Sequence, residues 1–269
     1  MFRKSGRANY LSLRNGDEMA IDRREREVRM LDLLAKDGSL TVAALSQEFD
    51  VSEVTIRTQL RALEERGVLK RTRGGAQATA VRHVLERERE NEAEKDRIAA
   101  AAAALVRDGD RIMIEAGTTA ARIVRHLANR HGVQIVTNST LVFGFSRHNA
   151  NLTVILTGGT FHRESESLIG PVALRAVRDF NVRLAFIGTD GFTPNRGLTT
   201  QFSEGAEVIT AMHGQAEQTW LVADSSKYGQ AGFVSVLPLA ELSGVITDTR
   251  LDQPSIAALR ETGPTVTLV

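Results

Sequence analysis

The 269-residue sequence has no cysteine, which excludes disulfide bonds and thiol catalysis. None of its apolar runs approaches the roughly 18 to 20 residues that a membrane-spanning helix requires. Its six histidines lack the spacing of metal ligands with acidic partners. We therefore expect a soluble, cytoplasmic chain with no membrane partner, no metal and no other cofactor.

The amino-terminal residues also lack the apolar core of a secretory signal. We expect residues 1–21 to form a disordered extension. Met19 directly precedes the first helical pattern, so translation starts either at Met1 or at Met19. The intact mass of the native protein distinguishes the two starts.

Net charge is nearly absent, because 34 Lys and Arg residues face 33 Asp and Glu residues, for a net charge of +1. This balance gives no global argument for a nucleic-acid partner, although cancelling charges can still be arranged as local patches. Residues 57–73 contain six cations and two anions. The basic excess is therefore concentrated in this stretch.

Three predicted helices and a basic hairpin occupy the first third of the chain. The first helix lies between Arg23 and Asp37, and Thr41 and Ser52 are good N-caps for the second and third. The apolar positions of the third helix recur at helical spacing and predict its buried face. These positions are Ile56, Leu60 and Leu63.

The third helix has the residues of a DNA recognition helix. Two helices joined by a tight turn, the second with Thr and Arg near its N-terminus, match the geometry that enters a major groove. Arg binds phosphate or guanine, and Thr meets base edges or the thymine methyl. The predicted DNA contacts are Ser52, Thr55, Arg57, Thr58, Arg61, Lys70, Arg71 and Arg73. A solvated helical hairpin with random surface charge, and a helix-turn-helix used only for protein contacts, are the alternatives.

Residues 77–94 change to dense mixed charge, which cannot form a second core. We predict a charged linker here, either an exposed helix or a tether. It would connect a helix-turn-helix domain over residues 22–76 to a larger domain over residues 95–269.

From residue 95 onward, short apolar runs alternate with helical patterns, which is typical of an α/β domain. Five candidate strands end in small polar residues, and ligands of open α/β sheets bind outside such carboxyl ends. The sequence therefore predicts one crevice for a small polar ligand. The five segments are RIMIEAGTT (111–119), IVTNS (135–139), VILTGG (154–159), LAFIGTDG (184–191) and WLVADSSK (220–227).

One of these strand ends has the features of an anion site. Gly117, Thr118 and Thr119 open directly into a predicted helix over residues 120–129, where N–H groups and two hydroxyls would face an anion such as phosphate. A capped strand-to-helix turn without a ligand gives the same pattern.

Other polar residues allow two interpretations each. The Gly158-Gly159 pair fits an ordinary turn as well as a ligand contact, and Lys227 either neutralises a phosphate or pairs with Asp224. Glu204 and Glu207 are expected to be surface or capping carboxylates.

The chain resembles the DeoR-type family of bacterial transcriptional regulators from about Arg23 to Val269. The amino-terminal part of the resemblance is Val51-Ser52, Thr55-Ile56-Arg57, Leu60, Leu63-Glu64, Gly67, Arg71 and Gly74-Gly75-Ala76. The family usually has Arg-Asp where this chain has Thr58-Gln59. The carboxy-terminal part is Glu115 to Thr119, Thr137-Asn138-Ser139, Gly158-Gly159, Ser165, Ser167, Gly170, Gly188, Asp190, Gly191, Asp224, Ser226 and Lys227.

The resemblance implies a winged helix-turn-helix domain followed by a larger α/β domain similar to the phosphosugar isomerase fold, which senses a phosphorylated sugar. Glu115 replaces the family's usual aspartate, and its extra methylene would push the carboxylate about 1.5 Å further into the pocket. The effector-binding residues that the resemblance implies are Glu115, Gly117, Thr118, Thr119, Thr137, Asn138, Ser139, Gly158, Gly159, Ser167, Asp190 and Lys227.

We predict a DNA-binding regulator that represses carbohydrate-metabolism genes and acts on operator DNA as a homo-oligomer, a dimer or a tetramer, under control of a phosphorylated sugar. The rival prediction is a phosphosugar isomerase or transferase with a DNA-binding appendage. That chemistry needs a general base beside the sugar carbonyl, for which Asp190, Glu115 or Glu204 are candidates. The family resemblance argues against the enzyme. A sensor that acts only through protein contacts is the third alternative.

Overall fold

The computed structural model describes residues 26, 27, 29, 30, 33, 34, 40–65, 69–72, 75–78 and 84–269. The chain divides into two compact units, residues 1–80 and residues 81–269. The extension predicted over residues 1–21, including Met19, lies outside the described residues, and so do Gly67, Arg73 and Gly74.

The first unit contains a helix-turn-helix followed by a β-hairpin, as predicted. Its elements are α1 (Val42–Glu48), α2 (Glu53–Glu65), β1 (Leu69–Thr72) and β2 (Gly75–Ala78). Strands β1 and β2 pair in antiparallel register. The described residues between 26 and 34 are helical, in agreement with the predicted first helix.

The two predicted N-caps of this unit are present, and one apolar cluster holds it together. The Thr41 hydroxyl accepts from the Ala44 amide at 3.1 Å, and the Ser52 hydroxyl accepts from the Thr55 amide at 3.1 Å. These bonds satisfy amides that a helix start leaves without intrahelical partners. The buried cluster is Met30, Leu34, Val42, Leu45, Phe49, Ile56, Leu60, Leu63 and Leu69.

The second unit alternates strands and helices. Its α-helices are α3 (Val84–Arg87), α4 (Glu92–Ala104), α5 (Thr118–Arg122), α6 (Thr140–Ser146), α7 (Pro171–Arg178), α8 (Ser203–Gly214) and α9 (Gln253–Glu261). Its 3₁₀ turns are Ile123–His126, Ser225–Lys227 and Leu239–Glu241. Its strands are β3 (Arg111–Ile114), β4 (Val133–Thr137), β5 (Leu152–Leu156), β6 (Thr160–His162), β7 (Ser167–Ile169), β8 (Val182–Ile187), β9 (Gly191–Thr193), β10 (Gly197–Thr200), β11 (Ala216–Val222), β12 (Val234–Ser235), β13 (Gly244–Thr247) and β14 (Thr265–Leu268).

Seven of these strands form one parallel sheet in the order β14-β13-β11-β8-β3-β4-β5. From β3 the chain builds outward through β4 and β5, and from β8 it builds in the opposite direction through β11, β13 and β14. The switch point therefore lies between β3 and β8, which are adjacent and parallel. In open α/β sheets, this is where a ligand crevice forms beyond the carboxyl ends of the strands. The predicted α/β fold is confirmed.

Side chains alternate between the two faces of the central strands, so helices cover both faces. Ile112, Ile114 and Phe186 belong to a cluster with residues of α4 and α5. Met113 and Ala185 belong to a second cluster, on the side that α8 covers. A smaller sheet, β12-β10-β9, and the β6–β7 hairpin stand beside the main sheet. None of the described helices is long and apolar enough to cross a membrane.

The structure differs from the linker predicted over residues 77–94. Residues 84–94 belong to the second unit, where they form α3 and the start of α4. Several of their charged side chains have partners within that unit, including Arg87 with Asp190 and Glu92 with Arg122. Dense charge at this point therefore reflects specific ion pairs rather than a solvated tether.

The helix predicted over residues 120–129 is also shorter than expected. Helix α5 ends at Arg122 and continues only as a 3₁₀ turn to His126. The carbonyl of Leu127 accepts from the Asn149 side chain at 3.4 Å. The same carbonyl accepts from the Arg130 amide at 3.0 Å, so the chain turns here instead of continuing as an α-helix.

Candidate functional site

Most of the predicted DNA contacts on α2 lie on its exposed face. Ser52, Arg57, Thr58 and Arg61 are exposed, and Thr55 is half-buried. The Ser52 hydroxyl serves as the N-cap, and the Thr58 hydroxyl donates to the Val54 carbonyl at 2.8 Å. Local bonds thus fix these short side chains on the helix surface.

Arg57 has an acidic neighbour on the same face. Its guanidinium lies 3.0 Å from the Glu53 carboxylate, one helical turn away, and its side chain is 54 % exposed. An exposed pair of this kind contributes only about 0.3–0.5 kcal/mol. Glu53 therefore orients Arg57 without preventing its transfer to a phosphate or a base.

The Thr58-Gln59 departure from the family pattern has a structural explanation at its second position. Gln59 is buried, and its side-chain carbonyl accepts from the Arg26 Nε at 3.1 Å. It therefore ties α2 to the preceding helical residues and does not face the DNA-binding surface.

Sequence reasoning missed Val54 on this surface. Its side chain is 72 % exposed, an unusual position for an apolar residue in a helix with a well-formed core. An exposed methyl group here is suited to contact with the thymine methyl. The sequence does indicate that Val54 is exposed, because it is an apolar residue outside the buried face formed by Ile56, Leu60 and Leu63.

The predicted hairpin cations lie beyond α2. Lys70 and Arg71 belong to β1, opposite Gln77 and Ala76 of β2. Arg73 lies outside the described residues.

A cleft lies at the switch point of the seven-stranded sheet in the second unit. The loops that follow β3 and β8 line it, together with residues after β11 and from α4 and α8. Six of the predicted effector residues line this cleft: Glu115, Gly117, Thr118, Thr119, Asp190 and Lys227. The parallel strands bring these residues together although they are far apart in the sequence.

Glu115 bridges the two strands at the switch point. Its Oε2 atom accepts from the Gly188 amide at 3.2 Å, so the carboxyl group of the β3 end holds the loop after β8. Burial raises the pKa of Glu115 from its ordinary value of 4.5 to about 8, and the charge of Asp190 raises it further, while the Gly188 amide and Arg87 oppose the shift. At neutral pH this group is protonated and can donate a hydrogen bond to a ligand.

Asp190 is held by neighbours on both of its oxygens. The Oδ1 atom accepts from Arg87 Nη1 at 2.9 Å, and Oδ2 accepts from the Thr200 hydroxyl and the Gln201 amide, both at 3.0 Å. The carboxylate is therefore fixed at the cleft as a hydrogen-bond acceptor.

Two lysines line the same cleft. Lys95 is only 3 % exposed, and its ammonium donates to the Arg87 carbonyl. Burial lowers the pKa of Lys95 from 10.5 to about 8, and repulsion by Lys227 contributes to this shift while the Asp224 carboxylate opposes it. Two cations that repel each other, one of them buried, form a site whose charge an anion would neutralise.

The hydrogen bonds of Asp224 bear on whether Lys227 pairs with this carboxylate or is available to a phosphate. Asp224 Oδ1 accepts from the Asn91 side chain at 2.9 Å and from the Ser226 amide at 3.1 Å. Asp224 thus caps the Ser225–Lys227 turn and holds Asn91, while Lys227 lines the cleft.

Three predicted effector residues stand behind the cleft and do not line it. Thr137, Asn138 and Ser139 are almost fully buried. The Thr137 hydroxyl donates to the Ile114 carbonyl at 2.6 Å, the Asn138 side-chain carbonyl accepts from the Ala116 amide at 3.0 Å, and the Ser139 hydroxyl caps α6. Their short polar side chains therefore hold the β3 loop and a helix start in place, and effector contact by these residues stays a prediction.

Gly158, Gly159 and Ser167 are likewise not on the cleft lining. Gly158 and Gly159 have positive φ angles of 71° and 119°, so they form the turn that the alternative interpretation described. The Ser167 hydroxyl lies 2.6 Å from the hydroxyl of Ser165, which does line the cleft. Ser167 thus supports its neighbour.

Glu204, one of the candidate general bases, lies in the first turn of α8 and is exposed. Its carboxylate accepts from the Ser203 hydroxyl at 3.1 Å. This fits the capping alternative.

Sequence reasoning missed several cleft residues: Arg87, Lys95, Ser165, Thr200 and Phe202. Arg87 lies within the predicted linker, residues 77–94, and Lys95 directly follows it. A signal for Lys95 was present, because it starts the helical stripe that continues through Ile98, Ala99, Ala102 and Ala103, all of which are buried. Among the described residues, no group of three His, Asp or Glu side chains could hold a metal ion.

Comparisons with known proteins match both units. A family model described as the DeoR-like helix-turn-helix domain matches residues 26–81, and one described as the DeoR C terminal sensor domain matches residues 90–249. An uncharacterized HTH-type transcriptional regulator of Bacillus subtilis, YulB, is 35 % identical over 91 % of this chain and 96 % of its own length. The HTH-type transcriptional regulator GlpR of Haloferax volcanii is 33 % identical over 90 % and 96 %. The lactose phosphotransferase system repressor of Lactococcus lactis is 31 % identical over 86 % and 93 %.

Proposed function

The chain belongs to the DeoR family of transcriptional regulators, and from this premise we propose that it represses carbohydrate-metabolism genes under control of a phosphorylated sugar bound in the cleft. The first unit binds operator DNA through the exposed face of α2, with β1 adding contacts to the DNA backbone. The second unit binds the sugar phosphate at the switch point of its sheet.

The observation that carries this proposal is the pair of cations in the cleft. Lys95 and Lys227 both line the cleft, and Lys95 is buried and repelled by the charge of Lys227. A phosphate offsets both charges, and the Thr118 and Thr119 hydroxyls stand beside it as further donors. Without an anion, burial of an ammonium group is unfavourable.

The remaining cleft residues suit the sugar part of such a ligand. Asp190 presents a fixed carboxylate acceptor, and protonated Glu115 presents a donor. Hydroxyl groups of a sugar both donate and accept, so they pair with this combination. The printed name of the Lactococcus lactis relative, a repressor of the lactose phosphotransferase system, agrees with a carbohydrate role.

The enzymatic alternative has little support in this cleft. One of the three candidate general bases, Glu204, is exposed and lies off the cleft lining. The three relatives described above are named as regulators or repressors. Incubation with pentose and hexose phosphates should therefore give no turnover above background.

Assembly into a homo-oligomer, a dimer or a tetramer, is part of the proposal. One helix-turn-helix reads a single half-site, and dimers of this motif bind paired half-sites about one helical turn apart. In this proposal, the first units of two subunits bind one operator together.

The effector part of the proposal is tested by a thermal-shift panel of sugar phosphates, the matching unphosphorylated sugars and inorganic phosphate. We expect stabilisation by at least one sugar phosphate and none by its unphosphorylated counterpart, because the lysines need the anion. Equal stabilisation by a sugar phosphate and by its unphosphorylated counterpart would contradict a role for the phosphate group in binding.

Two cleft variants extend this test to DNA. Thr118→Val and Lys227→Ala should bind DNA from the protein's own promoter region as the wild type does, and that binding should no longer respond to the sugar phosphate. Arg178→Ala, on an exposed position of α7, is the control and should respond normally. A normal response in both cleft variants would contradict the assigned phosphate site.

A further inference from the structure

The first residues of the second unit form a short segment that reaches its ligand cleft. We call residues 84–91 the connecting segment, because they are the first described residues of the second unit, which starts at Val81. It contains α3, a helix of only four residues, and Val84 is buried. Polar contacts from Arg87, Glu88 and Asn91 hold it to the rest of the unit.

The contact at Arg87 involves a cleft residue. Arg87 Nη1 donates to Asp190 Oδ1 at 2.9 Å, and the two side chains are 24 % and 20 % exposed. Thr200 and Gln201 hold the other oxygen of Asp190, so the carboxylate stays in place whether or not Arg87 is bound. The Arg87 Nε atom is buried and has no hydrogen-bond partner among the described residues, so the guanidinium is only partly satisfied where it is.

A second cleft residue holds the backbone of Arg87. The buried ammonium of Lys95 donates to the Arg87 carbonyl. Lys95 and Asp190 both line the cleft, so each of these contacts with Arg87 is open to competition by a ligand.

The next anchors of the segment are different, because they lie off the cleft lining. The Glu88 carbonyl accepts from Arg122 at 2.9 Å, and its carboxylate lies 3.3 Å from Arg125. Asn91 donates to Asp224 at 2.9 Å. Loss of the Arg87 contacts would therefore release α3 and leave the chain fixed from Glu88 onward.

We propose that the Arg87–Asp190 ion pair is a latch through which the sugar phosphate controls DNA affinity, an inference that rests on the proposed function. Sugar hydroxyls displace Arg87 from Asp190 Oδ1, and the phosphate draws the Lys95 ammonium away from the Arg87 carbonyl. Helix α3, which follows the DNA-binding unit in the chain, is then released. A ligand shifts such an equilibrium only by its differential affinity for the two states, and here the open state offers it two additional polar groups.

The test compares Arg87→Met with the wild type. Methionine keeps an unbranched side chain and removes the guanidinium, so the latch cannot close. We measure the Kd for promoter-region DNA by fluorescence anisotropy, with and without a saturating amount of the sugar phosphate that gives the largest thermal shift. The Kd for that sugar phosphate is measured by calorimetry.

In the wild type, the sugar phosphate should change the DNA Kd by about 5 to 150-fold, the usual range of allosteric coupling. In Arg87→Met this ratio should fall to about one, while calorimetry still detects binding of the sugar phosphate. Arg89→Met makes the same change at an exposed arginine of the same segment and should keep the wild-type ratio.

Each outcome separates the latch from the proposed function. If the sugar phosphate changes the DNA Kd of Arg87→Met as much as that of the wild type, the latch is overturned and the proposed function stays intact. If Arg87→Met no longer binds the sugar phosphate, the latch is also overturned, because Arg87 would then be a direct ligand. A wild type whose DNA binding ignores every sugar phosphate contradicts the proposed function, and the latch falls with it.

A measurement on the unmodified chain covers the case in which Arg87→Met does not fold. The Glu88 amide donates to the Val84 carbonyl at 2.8 Å, so its hydrogen exchange should accelerate when the sugar phosphate is added and α3 is released, while exchange in α4, over Glu92–Ala104, should not. Unchanged exchange at the Glu88 amide overturns the latch.

Discussion

At the scale of single residues, Glu115 has the most unusual chemistry in the described chain. Its carboxyl group is buried at the end of β3, accepts from the Gly188 amide, and has its pKa raised to about 8. The longer side chain, compared with aspartate, reaches the loop after β8 and links the two strands at the switch point. A proton held at neutral pH makes this group a donor toward the cleft.

Glu115→Gln should therefore change how stability depends on pH. The carboxyl group of the unfolded chain ionises near 4.5 and that of the folded chain near 8, so its contribution is complete below pH 4.5 and is lost as pH rises to about 8. Glutamine does not ionise, so the free energy of unfolding of the variant relative to wild type should increase with pH across this window, by at most about 1.4 kcal/mol per pH unit.

Urea unfolding at several pH values, followed by fluorescence of the single tryptophan, Trp220, measures this difference in the second unit. The wild type supplies the reference, since the titrations common to both proteins cancel. Parallel pH profiles for the two proteins would show that Glu115 is ionised in the folded state.

Gly159 shows at the same scale how a predicted ligand contact can be a backbone requirement. Its φ is +119°, and a Cβ at this position would lie 2.6 Å from the Ile169 carbonyl oxygen. Gly159→Ala should destabilise the second unit by about 1–3 kcal/mol, the cost of a strained backbone conformation. Urea unfolding measures this change.

Gly144→Ala is the matched control for this prediction. Gly144 lies in α6, and a Cβ there would meet no atom within 4 Å. Alanine in a helix interior is favoured over glycine by about 0.5–1 kcal/mol, so this variant should be slightly more stable than wild type. Equal effects at the two glycines would contradict the backbone explanation.

At the scale of elements, α2 and β1 are expected to contribute differently to DNA binding. Helix α2 exposes Arg57 beside short polar side chains, which suits contact with base edges, whereas β1 belongs to a hairpin whose cations suit phosphates. Base contacts depend on sequence, and phosphate contacts depend mainly on salt.

Arg57→Ala should weaken operator binding by about 1–3 kcal/mol and relax the preference for the operator over other DNA. Arg71→Ala should weaken binding to all DNA similarly and lower the slope of log K against log salt by about one. Fluorescence anisotropy with specific and random duplexes at several salt concentrations distinguishes the two. The exposed Arg178→Ala in α7 should leave both quantities unchanged, and wild-type binding by both test variants would contradict the DNA-contact assignment.

Helix α4 shows what element-level patterns predicted and where they failed. The apolar stripe from Ile98 to Ala103 is evident in the sequence, and it begins one turn earlier with Lys95. Local charge density nevertheless favoured an exposed linker up to residue 94. The partners of Arg87 and Glu92 are Asp190 and Arg122, residues too distant in the sequence for a local pattern to anticipate.

At the scale of the whole molecule, the chain combines a unit with a DNA-binding surface and a unit with a ligand cleft. The two family models cover these units separately. Control of one by the other requires a coupling free energy, typically about 1–3 kcal/mol, and the coupling must be reciprocal. DNA should therefore change the affinity for the sugar phosphate by the same factor as the sugar phosphate changes the affinity for DNA.

Oligomeric state is the prediction that belongs to this scale. Sedimentation equilibrium should give a dimer or a tetramer at micromolar concentration, and a duplex with two half-sites should bind more tightly than one with a single half-site, because two recognition helices then engage together. A duplex with the half-site spacing shifted by half a helical turn is the control. A monomer that binds both duplexes equally would contradict the prediction.

The sequence by itself determined the family, the helix-turn-helix with its caps and buried stripe, and the α/β class with polar strand ends, because these depend on local periodicity and on residue types at fixed spacing. Only the tertiary structure decided which polar strand ends line the cleft. The reversal of strand order between β3 and β8 brings Glu115 and Asp190 to one cleft, while Thr137, Asn138 and Ser139 after β4 turn inward to support it. Likewise, Arg87 and Lys95 became cleft residues only through partners brought near by folding, since charge alone does not show whether a side chain meets water or an opposite charge.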